Sequence, residues 1–185
     1  MGRKGIKKKK GIVIAVLIFL LFYVIFHYGG DLGHWRGKSF QTYSDRAYQT
    51  GSGGFLFLEL PVGAQDFRFQ CENYGLAARS VAAMTLTGQE YDEFMSVIAN
   101  IHRDPEYYDK LHFEGKKVSE TFDCYDDYGY YIGFPKSGFQ YVIDDDIMDY
   151  TILYYDGYRG AGVRISAVVA RPDTGRIVIY NYGSN

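Results

Sequence analysis

The sequence predicts an α+β protein: an N-terminal transmembrane helix, then one extracytoplasmic domain with a mainly antiparallel β-sheet and one or two packed helices. Three observations carry this expectation. The run from Gly11 to Tyr28 is apolar and holds no charged residue. Further on, short runs alternate apolar and polar residues and are separated by hairpin-like turns, the pattern of antiparallel strands. A separate helix-start signal at Thr87 sits among them, without the strand–helix–strand alternation that parallel sheets need.

Residues 1–10 form a basic cytoplasmic segment, with Arg3, Lys4 and Lys7 to Lys10 and no acid. Residues 11–28 follow as the transmembrane helix. At about 1.5 Å per residue the helix is roughly 27 Å long, close to the ~30 Å hydrocarbon core of a bilayer. Positive charge ahead of the span puts the N-terminus in the cytoplasm and the rest of the chain outside a single-pass cell membrane protein. A cleaved signal peptide would need small residues at positions −3 and −1, and the triplets after the run (His-Tyr-Gly, Tyr-Gly-Gly, Asp-Leu-Gly) do not supply them. Residues 29–54 are polar, lack a clear period and end in Gly-Ser-Gly-Gly, which reads as a flexible tether.

The extracytoplasmic domain is expected over 55–185. Phe55 to Leu60 reads as a buried strand stopped by Pro61, and Asp66 to Cys71 as a half-buried strand with Phe67, Phe69 and Cys71 on one face. After the turn at Asn73-Tyr74-Gly75, the Ala-rich residues 76–85 are compatible with helix, but the turn favours a returning strand. Thr87 and Glu90 have the spacing of a capping box, with Leu86 and Tyr91 at the staple positions. Tyr91, Phe94, Met95 and Ile98 make one apolar face, which predicts a helix over 88–99. A short second helix is expected at Asp104-Pro105-Glu106. Short strands are expected over 116–142, and another strand from Ile147 to Tyr155. The last hairpin turns at Arg171-Pro172-Asp173-Thr174-Gly175 and returns over Ile177 to Tyr182.

Charge is distributed unevenly. Six of the 20 basic residues lie in the first thirty, leaving 14 against 22 acids in residues 31–185. An acidic domain argues against nucleic acid as a partner. Cys71 and Cys124 each continue the apolar alternation of a strand, so a disulfide between them is expected outside the cytoplasm. The acidic clusters Asp123/Asp126/Asp127 and Asp144/Asp145/Asp146/Asp149 lack the ligand order of a calcium loop. His102 and His112, near Asp104, Glu106 and Asp109, lack metal-ligand spacing. The glycine-rich residues 157–162 lie between strands, which suits a hairpin loop better than a phosphate cradle. No metal, cofactor or nucleophile pattern emerges.

The expected function is therefore that of a membrane-anchored binding or accessory domain, non-catalytic, engaging another envelope protein. The candidate contact is the exposed member of the pair Tyr154/Tyr155, with Tyr158 and Arg159, because Tyr and Arg dominate protein interfaces. The alternative is a cell-envelope hydrolase using carboxylates such as Asp144 to Asp146 or Asp126/Asp127. That reading requires a concave site on which carboxylates converge.

Overall fold

The structure, a computed structural model, describes residues 14, 16–20, 33–49, 59–75, 77–101, 113–121, 138–159 and 163–184. The chain is a mixed α+β protein built on one six-stranded antiparallel sheet. Its elements are β1 (Gly33–Gly37), α1 (Phe40–Gln49), β2 (Gln65–Asn73), β3 (Ala77–Thr85), α2 (Gly88–Ala99), β4 (Thr151–Arg159), β5 (Val163–Arg171) and β6 (Arg176–Ser184). Two short 3-10 turns, Val118–Thr121 and Ile147–Asp149, precede β4.

The strand order is β1-β2-β3-β6-β5-β4. Two three-stranded meanders, β1–β2–β3 and β4–β5–β6, thus meet at a β3–β6 seam. That seam runs in unbroken register from Ala77 opposite Ser184 to Thr85 opposite Arg176.

Both faces of the sheet are covered. On one face Phe67, Phe69 and Cys71 of β2 join Ala82 and Met84 of β3 and Ile177 and Ile179 of β6, beneath Tyr43 and Ala47 of α1 and Phe94 and Ile98 of α2. On the other, Val81, Val169, Val178, Tyr155 and Tyr180 lie beneath a largely non-helical layer contributed by Phe113, Val118, Phe139, Val142, Ile147 and Tyr150. Burying one such large apolar side chain stabilises the fold by about 1.5–3 kcal/mol. Central strands covered on both sides need small side chains where the layers press close. That accounts for the Ala-rich β3, where Ala78, Ala82 and Ala83 are all buried, and for its being a strand.

Three expectations are corrected. The stretch 29–54 is not a tether over its described part, because residues 33–49 form β1 and α1 and belong to the domain. Ser39 caps α1 by accepting from the Thr42 N–H at 3.3 Å. Phe40, Tyr43 and Ala47 then form a narrow apolar stripe, with Tyr43 and Ala47 buried. The strand expected from Ile147 instead begins at Thr151, since Asp146 accepts from the Met148 N–H at 3.0 Å and bends the chain into a 3-10 turn first. The helix at 88–99 forms as expected, but without the capping box: Thr87 is the N-cap in an extended conformation, and its side chain makes no capping hydrogen bond.

The strand predicted at 55–60 has residues 55–58 outside the described residues, and Glu59 and Leu60 are not in a strand. The helix at 104–106 and all of 122–137 also lie outside. The described part of 116–121 contributes a bridge from Lys117 to Thr151 and a 3-10 turn rather than strands. Among the described residues no helix is long and apolar enough to cross a membrane. Of the predicted span, residues 14 and 16–20 are described, and they are helical and exposed.

Candidate functional site

The densest polar cluster centres on Glu72 of β2, a carboxylate only 4% exposed. Strand alternation puts Gln70 and Glu72 on the same face, and the β2–β3 register sets Arg79 opposite Glu72. β1 adds His34, also opposite Glu72. The carboxylate accepts from Gln70 Nε2 at 2.7 Å, the Tyr74 hydroxyl at 2.6 Å and Arg79 Nε at 2.9 Å. His34 Nδ1 lies 3.0 Å from it. Burial alone would raise its pKa. The Tyr74 hydroxyl, the Arg79 charge and the Gln70 amide outweigh burial and hold Glu72 below the usual carboxylate range. Gly138 closes the cluster from the covering layer, where a Cβ would lie 2.1 Å from the Arg79 guanidinium. With its oxygens engaged by these donors, Glu72 is a poor proton acceptor and a good anchor for the side chains around it.

A cleft of about 300 Å³ opens in the covering layer, lined by Asp144, Asp145 and Asp146 together with Phe139, Ile143 and Ile147. Each carboxylate there has its own structural partner. Asp144 accepts from Arg68 at 3.0 Å, and Asp145 accepts from Tyr150 and from Arg171, both at 2.9 Å. Asp146 caps the 3-10 turn through the Met148 N–H. Next to them Arg176, 9% exposed, donates to the Val142 carbonyl at 2.6 Å and to Asp66 and Thr85 at 3.1 Å, tying the covering layer to the sheet. Among the described residues no group of three His, Cys, Asp or Glu could hold a metal ion.

The helix-covered face carries a polar row at one level. Trp35, Cys71, Ser80, Asn181, Ser166 and Asp156 follow one another across all six strands. Asn181 Nδ2 donates to Ser80 Oγ at 3.4 Å. The Tyr43 hydroxyl comes close to both but makes no well-formed hydrogen bond, and burial raises its pKa. Cys71 is a buried free thiol, its pKa pushed up to about 12 by burial, so it is a poor nucleophile. Cys124, its expected disulfide partner, lies outside the described residues. Burial also raises the pKa of Asp156.

The predicted aromatic contact needs correction. Tyr154 is 7% and Tyr155 3% exposed, each packed into the core on its own face of the sheet, so neither presents an outward ring. The reason is the two-sided covering of β4. Tyr158 and Arg159 pair with Arg164 and Val163 at the end of the β4–β5 ladder. The sequence reading missed Tyr74, 61% exposed at the tip of the β2–β3 hairpin, although the Asn-Tyr-Gly turn marks that position.

Comparison of the chain with protein-family models, curated proteins and solved structures finds no match in any of the three.

Proposed function

We propose that the chain is a single-pass membrane protein, cytoplasmic at its N-terminus, whose outer α+β domain works by binding another envelope protein rather than by turnover. One observation carries the anchor: Ile14, Val16, Leu17, Ile18, Phe19 and Leu20 are helical yet 50–72% exposed, directly after a lysine-rich start. Apolar helix surface of that kind calls for a lipid environment. Binding is favoured over catalysis because the cleft carboxylates Asp144, Asp145 and Asp146 are engaged in holding the covering layer. The Asp-lined cleft favours the hydrolase alternative, in which Asp144→Asn with Asp146→Asn would abolish a glycosidase activity.

Protease added to spheroplasts should digest the domain and leave a small membrane-held N-terminal fragment. Full protection of a C-terminal tag would overturn the topology. Tyr158 and Arg159 remain the proposed protein contact. Replacing both with Ala should reduce in-cell crosslinking to the partner at least about tenfold, the loss expected when interface hot spots are truncated, and leave the unfolding midpoint unchanged.

A further inference from the structure

The Glu72 cluster has a use that rests on the membrane-anchor reading. Antiparallel pairing puts the start of β1 at the same end of the sheet as the β2–β3 hairpin, with Gly33 opposite Asn73. Tyr74 therefore lies one residue beyond the level at which the chain enters the sheet. From Tyr28, the end of the span, to Gly33 there are five residue steps. At no more than ~3.6 Å each, this is at most about 18 Å. The hairpin end of the β1–β2–β3 meander is thus kept within headgroup range of the bilayer.

The tip suits that position chemically. Its described residues are Tyr74 and Gly75. The turn is fixed by the Tyr74 N–H donating to the Ala77 carbonyl at 2.8 Å, and by Asn73 Oδ1 accepting from the Gly75 N–H at 2.9 Å. The Tyr74 hydroxyl is drawn back onto buried Glu72, while the residue as a whole is 61% exposed. Aromatic rings concentrate at the headgroup level of membranes. Arg79 neutralises Glu72 from behind, so no unpaired anion accompanies the ring toward lipid. The distal end of the sheet is unlike this one. It carries Asp66, Asp144, Asp145 and Asp173 paired with Arg68, Arg171 and Arg176, and among the described residues no exposed aromatic ring.

We infer that the β2–β3 hairpin tip, led by Tyr74, docks into the phospholipid headgroup layer of the membrane that holds the chain. The contact stays local to this meander. The end of β4 lies at the same end of the sheet but three strand positions from β3, and at roughly 20–25° of twist per strand it is turned by about 60–75° from the hairpin. The end of β4 with Tyr158 and Arg159 is thereby left for a protein partner.

The test uses the full chain reconstituted in phosphatidylcholine/phosphatidylglycerol vesicles, with a photo-reactive benzoylphenylalanine replacing Tyr74 or, as a distal control, Asp173. Lipid adducts at position 74 should exceed those at 173 by about tenfold, the factor set by one ring in contact against one outside the headgroup layer. Asn73→benzoylphenylalanine keeps the Tyr74–Glu72 hydrogen bond and gives up the Asn73–Gly75 one, the reverse of the substitution at 74, so lipid adducts from both variants would not trace to the loss of either bond. Equal yields at both ends, or protein–protein adducts at 73 and 74, would overturn the docking. Flotation of the chain with the vesicles reads the anchor separately. A chain that fails to float removes the membrane reading itself, whereas one that floats without adducts at 73 and 74 removes only the docking.

Discussion

Glu72 gives the domain an acid-sensitive joint. Its folded pKa lies below the ordinary carboxylate value of about 4.3, so the stability it contributes is complete above that value and is lost as pH falls through the folded pKa. Urea midpoints should therefore drop as pH falls below the ordinary carboxylate value of about 4.3. Glu72→Gln should flatten that drop and cost about 2–4 kcal/mol at pH 7, because Arg79 would lose its buried counter-charge. A Glu72→Gln protein with wild-type stability at pH 7 would contradict this account. The cluster was only half legible in the sequence. Gln70 and Glu72 stand two apart on one strand, and Arg79 follows across a short turn, so three members could have been read from a hairpin register. His34 could not, because it arrives on a strand hidden in polar sequence that resembles a tether.

Among the elements, the β5–β6 hairpin was the most legible, because its turn chemistry is local. Pro172 and Gly175 flank a turn in which Thr174 donates to the Arg171 carbonyl, and Gly175 sits at φ +67°. That glycine also meets a neighbour: the Leu86 N–H donates to its carbonyl at 3.0 Å, and a Cβ there would lie 2.0 Å from the Leu86 oxygen. Gly175→Ala should destabilise by about 2–4 kcal/mol, combining left-handed strain with a backbone clash. Chemical denaturation measures it, and a loss under 0.5 kcal/mol, the range of an ordinary surface change, would show that the turn can shift. The start of β4 was misplaced because Ile147 and Met148 have strand-like apolarity, while the outcome was decided by one carboxylate, Asp146, capping the turn. Two-sided burial misled in the same way at Tyr154 and Tyr155. Alternation assigns neighbours to opposite faces, but it does not say that both faces are covered.

At the scale of the molecule, the domain begins near residue 33. Phe40 and Tyr43 of α1 pack edge-to-face against Phe67 with ring centroids 5.6 and 5.8 Å apart, and Tyr43 reaches Phe69 at 5.9 Å. A chain starting at residue 55 should lack a cooperative thermal transition and bind a hydrophobic dye, whereas one starting at 29 should melt sharply. Two equal, sharp transitions by circular dichroism would restore the tether. The sequence hid this boundary because a short edge strand and a ten-residue helix with a three-residue apolar stripe carry little periodic signal. The seam between β3 and β6 bears on how the molecule reaches this state. The β2–β3, β4–β5 and β5–β6 pairs are hairpins of neighbouring strands and can zip within microseconds, while β1 joins β2 across the longer connection that holds α1. The seam joins strands roughly a hundred residues apart and encloses everything between them, so it carries the largest loop-closure entropy in the sheet. Until it closes, β3 and β6 are bare, sticky edges in two half-sheets, and the interval before closure is when the chain is most exposed to mispairing with its own copies.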